Sequence, residues 1–70
     1  MSEHVYRVTE LVGTSKDSIE DAIRSGIGRA NQTVRAIDWF EVTEIRGYVK
    51  GGELDHYQVG MKLGFRLEDA

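Results

Sequence analysis

Hydrophobic and polar positions divide the chain into four segments. The last of these is the most regular. From Leu54 to Leu67, Tyr57, Val59, Met61, Leu63, Phe65 and Leu67 alternate with Gln58, Gly60, Lys62, Gly64 and Arg66. A period of two is the pattern of a strand with one face on a core. Val5 to Val12 is rich in β-branched and aromatic residues and predicts a first strand, ended by Gly13. Between the two, Ile19, Ala22, Ile23, Gly26, Ile27, Ala30 and Val34 recur at helical spacing, with Lys16, Glu20, Asp21, Arg24, Ser25, Gly28 and Asn31 opposite. Thr14 and Ser15 offer oxygens for the open amides of the helix start, and Asp17 and Glu20 suit its positive end. Gly26, on the apolar stripe, predicts close packing of the helix on a strand.

Asp38 to Val49 predicts a further long strand, joined to the last by the turn Lys50-Gly51-Gly52-Glu53. Its alternation breaks midway. Phe40 and Val42 are apolar and in phase, whereas Ile45 and Val49 are apolar on the other phase. One inserted residue reverses the side-chain phase, so a β-bulge at Thr43 or Glu44 would return all four to the core side. Trp39, Glu41, Arg46 and Tyr48 then face away from the core, as does Gln58. The expected fold is α+β: a β-α-β-β unit, one domain over residues 1–70, with a three-stranded antiparallel sheet on one long helix. A single helix leaves one sheet face for solvent, a partner or a ligand.

Size adds a reason to expect association. A domain of 70 residues has a marginal core, and without cysteine it has no disulfides to reinforce it. The net charge of −3 gives no basic face for nucleic acid, and no apolar run is long enough to cross a membrane. The first four residues lack the features of a signal peptide, so a cytoplasmic protein is expected.

The candidate chemistry is on the uncovered face. Trp39 presents a flat ring suited to stacking, Gln58 an amide that both donates and accepts, and Arg46 a planar fork for a carbonyl or phosphate. The same residues would also suit a plain interface between subunits, where Trp and Arg are enriched. Enzyme signatures are missing. The pair Gly26 and Gly28 lies within the helix, where no free amides can cradle phosphate. His4 and His56 read as solvated side chains rather than metal ligands, and nothing orients Ser15 or Ser18 as a nucleophile. Glu68 and Asp69 read as a solvated tail.

Several segments together resemble the dodecin family: Val12-Gly13-Thr14-Ser15, Asp38-Trp39-Phe40-Glu41-Val42, Ile45-Arg46-Gly47, Tyr57-Gln58-Val59 and Gly64-Phe65-Arg66-Leu67-Glu68. The resemblance spans nearly the whole chain. It implies a hollow homododecamer that binds and sequesters flavin at subunit contacts, with no catalysis. Paired isoalloxazine rings would stack between Trp39 residues of two subunits. Gln58 would bond the pyrimidine edge, and Arg46, Asp38 and Arg66 would line the site. Arg46 matches the bacterial form, which implies FMN, with riboflavin or FAD as alternatives. The resemblance also implies coenzyme A on the outside, near His4, Tyr6, Arg29, Thr33, Arg35 and Arg66, although His4 departs from the pattern. The alternative is a self-assembling structural protein without cofactor.

Overall fold

A computed structural model describes residues 3–67. Glu68 and Asp69 lie outside them. The order is β1 (Val5–Ser15), α1 (Ile19–Ala30), β2 (Ile37–Lys50) and β3 (Glu53–Leu67). The sheet is antiparallel with strand order β1-β3-β2. The β-α-β-β architecture is as expected.

Strand β1 does not end at Gly13. Pairing continues through Gly13↔Val59 and Thr14↔Gln58 to Ser15↔Tyr57. Gly13 is needed for space instead: a Cβ there would overlap the carbonyl of Ala22 on the helix above. Gly26 answers it from the helix side. A Cβ on Gly26 would lie 2.9 Å from Leu11 Cδ1 and 3.0 Å from Met61 Cε, so the helix rests directly on β1 and β3.

The helix start also differs from expectation. Ser18 is the N-cap, its Oγ accepting from the Asp21 amide at 2.9 Å. Thr14 takes no such role. Ser15 supports the preceding turn: its Oγ accepts from the Asp17 amide at 2.9 Å and donates to Asp21 Oδ2 at 2.8 Å. Glu20 and Asp21 supply the acidic first turn. The helix ends at Ala30, so Val34, which the spacing places on its apolar stripe, lies in the following loop. Ala36, in the left-handed region at φ 61°, turns the chain into β2, and its carbonyl accepts from the Arg66 amide at 3.0 Å. Gly51 and Gly52, at φ 62° and 80°, make the hairpin turn.

Ala22, Val59, Met61 and Leu63 are fully buried, with Leu11, Ile23, Ile27, Ala30 and Ile37 packed around them. The core therefore lies between α1 and the β1–β3 half of the sheet. Strand β2 lies beyond it, and Phe40, Val42, Ile45 and Val49, expected in the core, are 46%, 37%, 55% and 71% exposed. Their phase is the one the pattern predicts, since Phe40 pairs with Leu63, Val42 with Met61 and Ile45 with Val59. They lie on the helix side of the sheet but out of the helix's reach, because β3 occupies the centre. Leu67, at the end of β3, is likewise exposed. The described residues span 55 × 20 × 14 Å, a shape too thin to bury β2 by itself. Among them no helix is long and apolar enough to cross a membrane.

Candidate functional site

The expected bulge is present. Pairing shifts between Val42↔Met61 and Glu44↔Gly60, leaving Thr43 unpaired. Because of this extra residue, Trp39 before it and Arg46 after it both share a face with even-numbered residues of β3. Trp39 is the partner of Gly64 and Arg46 of Gln58. All three expected residues thus lie on the sheet face away from α1.

They form two groups rather than one. The Gly64 and Gln58 positions are six residues apart on β3, about 20 Å at the usual rise of a strand. A tricyclic heterocycle cannot span that distance within one subunit. A ligand stacked on Trp39 can meet Gln58 or Arg46 only if these belong to another copy.

The first group surrounds Trp39. A second register shift, between Ile37 and Trp39, leaves Asp38 unpaired. Its carboxylate accepts from Tyr6 Oη at 3.2 Å and lies 3.9 Å from an Arg66 guanidinium nitrogen. Tyr6 also packs on the indole, with ring centroids 6.4 Å apart at 54°. The indole lies over Gly64, where a Cβ would overlap it, and remains 38% exposed. A flat, half-open indole braced from beneath and from one side suits stacking with another planar ring.

The second group surrounds Gln58. Arg46 forms an ion pair with Glu44. His56, expected to be solvated, is instead held in place: its Nδ1 is 2.6 Å from Asp55 Oδ2, its ring stacks on Tyr48 at 4.8 Å, and its Nε2 lies 3.5 Å from Gln58 Nε2. This hydrogen bond to His56 is the main cause that holds the Asp55 carboxyl below its ordinary range. Between the groups, Glu10, Val12, Thr43, Glu44, Gly60 and Lys62 line an open cleft of about 520 Å³.

The residues named for coenzyme A are divided as well. Arg29 and Thr33 line a groove of about 380 Å³ between α1 and β1. Thr33, Arg35 and Arg66 line an adjoining groove of about 350 Å³. Tyr6 belongs with Trp39 on the other face, and His4 is exposed at the start of the chain.

Two features escaped the sequence reading. One is the seat that Gly64 makes for the indole, for which the glycines at 60 and 64 on the off-core phase were a usable sign. The other is the Asp55–His56 pair. Adjacent strand residues ordinarily point to opposite faces, so no periodicity joins them. Among the described residues, no group of three His, Asp or Glu side chains is arranged to hold a metal ion.

Known proteins resemble this chain over nearly its whole length. The dodecin family model matches residues 5–68. The dodecin of Thermus thermophilus is 49% identical over 65 residues, covering 93% of this chain and 94% of the relative. The solved dodecin of Streptomyces coelicolor is 57% identical, with a TM-score of 0.92 over 100% of both chains. A Mycobacterium tuberculosis protein, described as a calcium dodecin with a novel calcium-binding site, is 28% identical, with a TM-score of 0.80 over 94% of each chain. Solved variants of the Thermus protein replace one tryptophan and two arginines. Those positions are seven and twenty residues apart, the spacing of Trp39, Arg46 and Arg66 here.

Proposed function

The chain belongs to the dodecin family, a family of self-associating small-molecule binders, and on that premise we propose that it stores flavin, FMN foremost, at contacts between its own copies. The observation that carries this reading is the indole of Trp39, seated on Gly64 on a sheet face that the helix does not cover. The separation of Trp39 from Gln58 and Arg46 supports a site shared between subunits. One copy supplies the stacking ring, and another supplies the amide and guanidinium that recognise the heterocycle edge. The exposed apolar row of β2 gives such copies a surface to bury against one another. The closed assembly proposed is a homododecamer.

The mechanism is physical rather than catalytic. Stacking on Trp39 shields the isoalloxazine and places an electron-rich ring against it, so the excited flavin is quenched by electron transfer before it can react. Asp38 and Arg66, beside the indole, would line the pocket. Coenzyme A is proposed as a second ligand, for the grooves around Thr33. There Arg29, Arg35 and Arg66 offer the planar forks that bind phosphate.

Titration of FMN with purified protein tests the reading. Flavin emission should fall to a small residue at protein excess. Trp39→Ala should keep the subunit count by native mass spectrometry and weaken binding roughly 5- to 150-fold, as expected for losing about 1–3 kcal/mol of stacking. Unchanged emission with the native protein would leave only a self-assembling structural role.

A further inference from the structure

The bulge in β2 does more than bring Trp39 and Arg46 onto one face. By leaving Thr43 unpaired it also puts Glu44 on that face, with Gly60 as its register partner on β3. Gly60 has no side chain to stand in the way. A Cβ built there would lie 3.5 Å from Glu44 Cβ and 3.6 Å from Glu44 Oε1, so the Glu44 side chain lies down over the strand. From there its carboxylate forms an ion pair with Arg46, two residues on. Arg46 is in turn the register partner of Gln58. The Arg46 and Glu44 side chains are 44% and 61% exposed, open to a ligand seated at Gln58.

This pairing changes what Arg46 offers. A bare guanidinium carries a full charge and five N–H donors, and a phosphate uses both. With a carboxylate on one side of its fork, the guanidinium keeps free N–H donors, but the pair is neutral. A ring carbonyl needs only the donors. A phosphate loses the attraction of the charge and meets a carboxylate as well. The surroundings act in the same direction. Glu10 and Glu41 flank Lys62 across the sheet on this face. With Glu44 and Arg46, the middle of the face therefore carries three carboxylates against two cations.

We propose that Glu44 is a positioning residue that holds Arg46 in a neutral pair, and so sets how far the site favours a phosphate-bearing flavin over the bare isoalloxazine. Arg46 supplies the preference for phosphate, and Glu44 limits it. The inference rests on the flavin reading and deepens it, by assigning the choice between FMN and riboflavin to a residue outside the set Trp39, Gln58 and Arg46.

The test measures FMN and riboflavin affinities side by side, by flavin fluorescence with the intact assembly at low salt. Glu44→Gln keeps the size of the side chain and removes its charge. It should strengthen FMN binding about fivefold, the upper range for one exposed ion pair, and leave riboflavin binding unchanged. The gain should fade at high salt, where exposed charges are screened. Glu41→Gln removes the same charge from a position beside Lys62 instead of Arg46, and should move the ratio of the two affinities much less. If Glu44 acts through Arg46, adding Glu44→Gln to Arg46→Gln should bring no FMN gain over Arg46→Gln alone. A ratio that Glu44→Gln leaves unchanged, that Glu41→Gln shifts as far, or that still rises without Arg46 overturns the role of Glu44 while leaving flavin binding intact. If the native protein quenches neither flavin, the flavin reading and this inference fall together.

Discussion

The indole of Trp39 lies over Gly64, its register partner, in the space a side chain would otherwise fill. The platform is thus made by two residues, one supplying the ring and the other leaving room for it. Tyr6 closes one side, and Asp38 links Tyr6 to Arg66.

Gly64→Ala should therefore lift the indole off the sheet. We expect flavin affinity to fall by about tenfold or more, with a shifted tryptophan emission, while far-UV circular dichroism stays the same because the helix and core lie on the opposite face. Affinity equal to that of the native protein would show that the ring does not need this seat.

Two glycines of α1 should respond in opposite ways. Gly28 is exposed and has no atom within 4 Å of an added Cβ. Gly28→Ala should stabilise by about 1 kcal/mol through helix propensity and a less flexible unfolded chain. At Gly26 the same gain is opposed by crowding against Leu11 and Met61. Gly26→Ala should range from neutral to about 2 kcal/mol destabilising. Urea denaturation at fixed protein concentration compares them, and a clear gain from Gly26→Ala would contradict the contact described.

Asp55 gives a prediction for acid. Its carboxyl is held below the ordinary value of 3.8 by the His56 hydrogen bond foremost; burial opposes that pull, and the charges of Lys16 and His56 reinforce it more weakly. A carboxyl whose pKa is lower folded than unfolded adds stability above the unfolded value. That stability is lost as pH falls through the folded value. Asp55→Asn should therefore melt below the native protein at pH 7, with the gap closing as pH drops beneath 3.8. A third of the side chain is open to water, so the gap should be small. A gap that widens in acid would contradict the pairing.

Much was legible in the residue pattern. The alternation from Tyr57 to Leu67 marked β3, the 3–4 spacing from Ile19 marked α1 though it ran on to Val34, past the helix end at Ala30, and the phase break between Val42 and Ile45 put a bulge at Thr43 or Glu44, which the structure has at Thr43. Each is a short-range signal, because side-chain direction repeats every two residues in a strand and every 3.6 in a helix. The same reasoning placed Trp39, Arg46 and Gln58 on one face. It could not say that β3 is central, that the helix therefore stops short of β2, or that Trp39 and Gln58 sit at opposite ends of that face. Those facts depend on strand order and register, which are set by contacts between segments far apart in the chain. Periodicity assigns a residue to a face, and only packing decides which residues share it at close range.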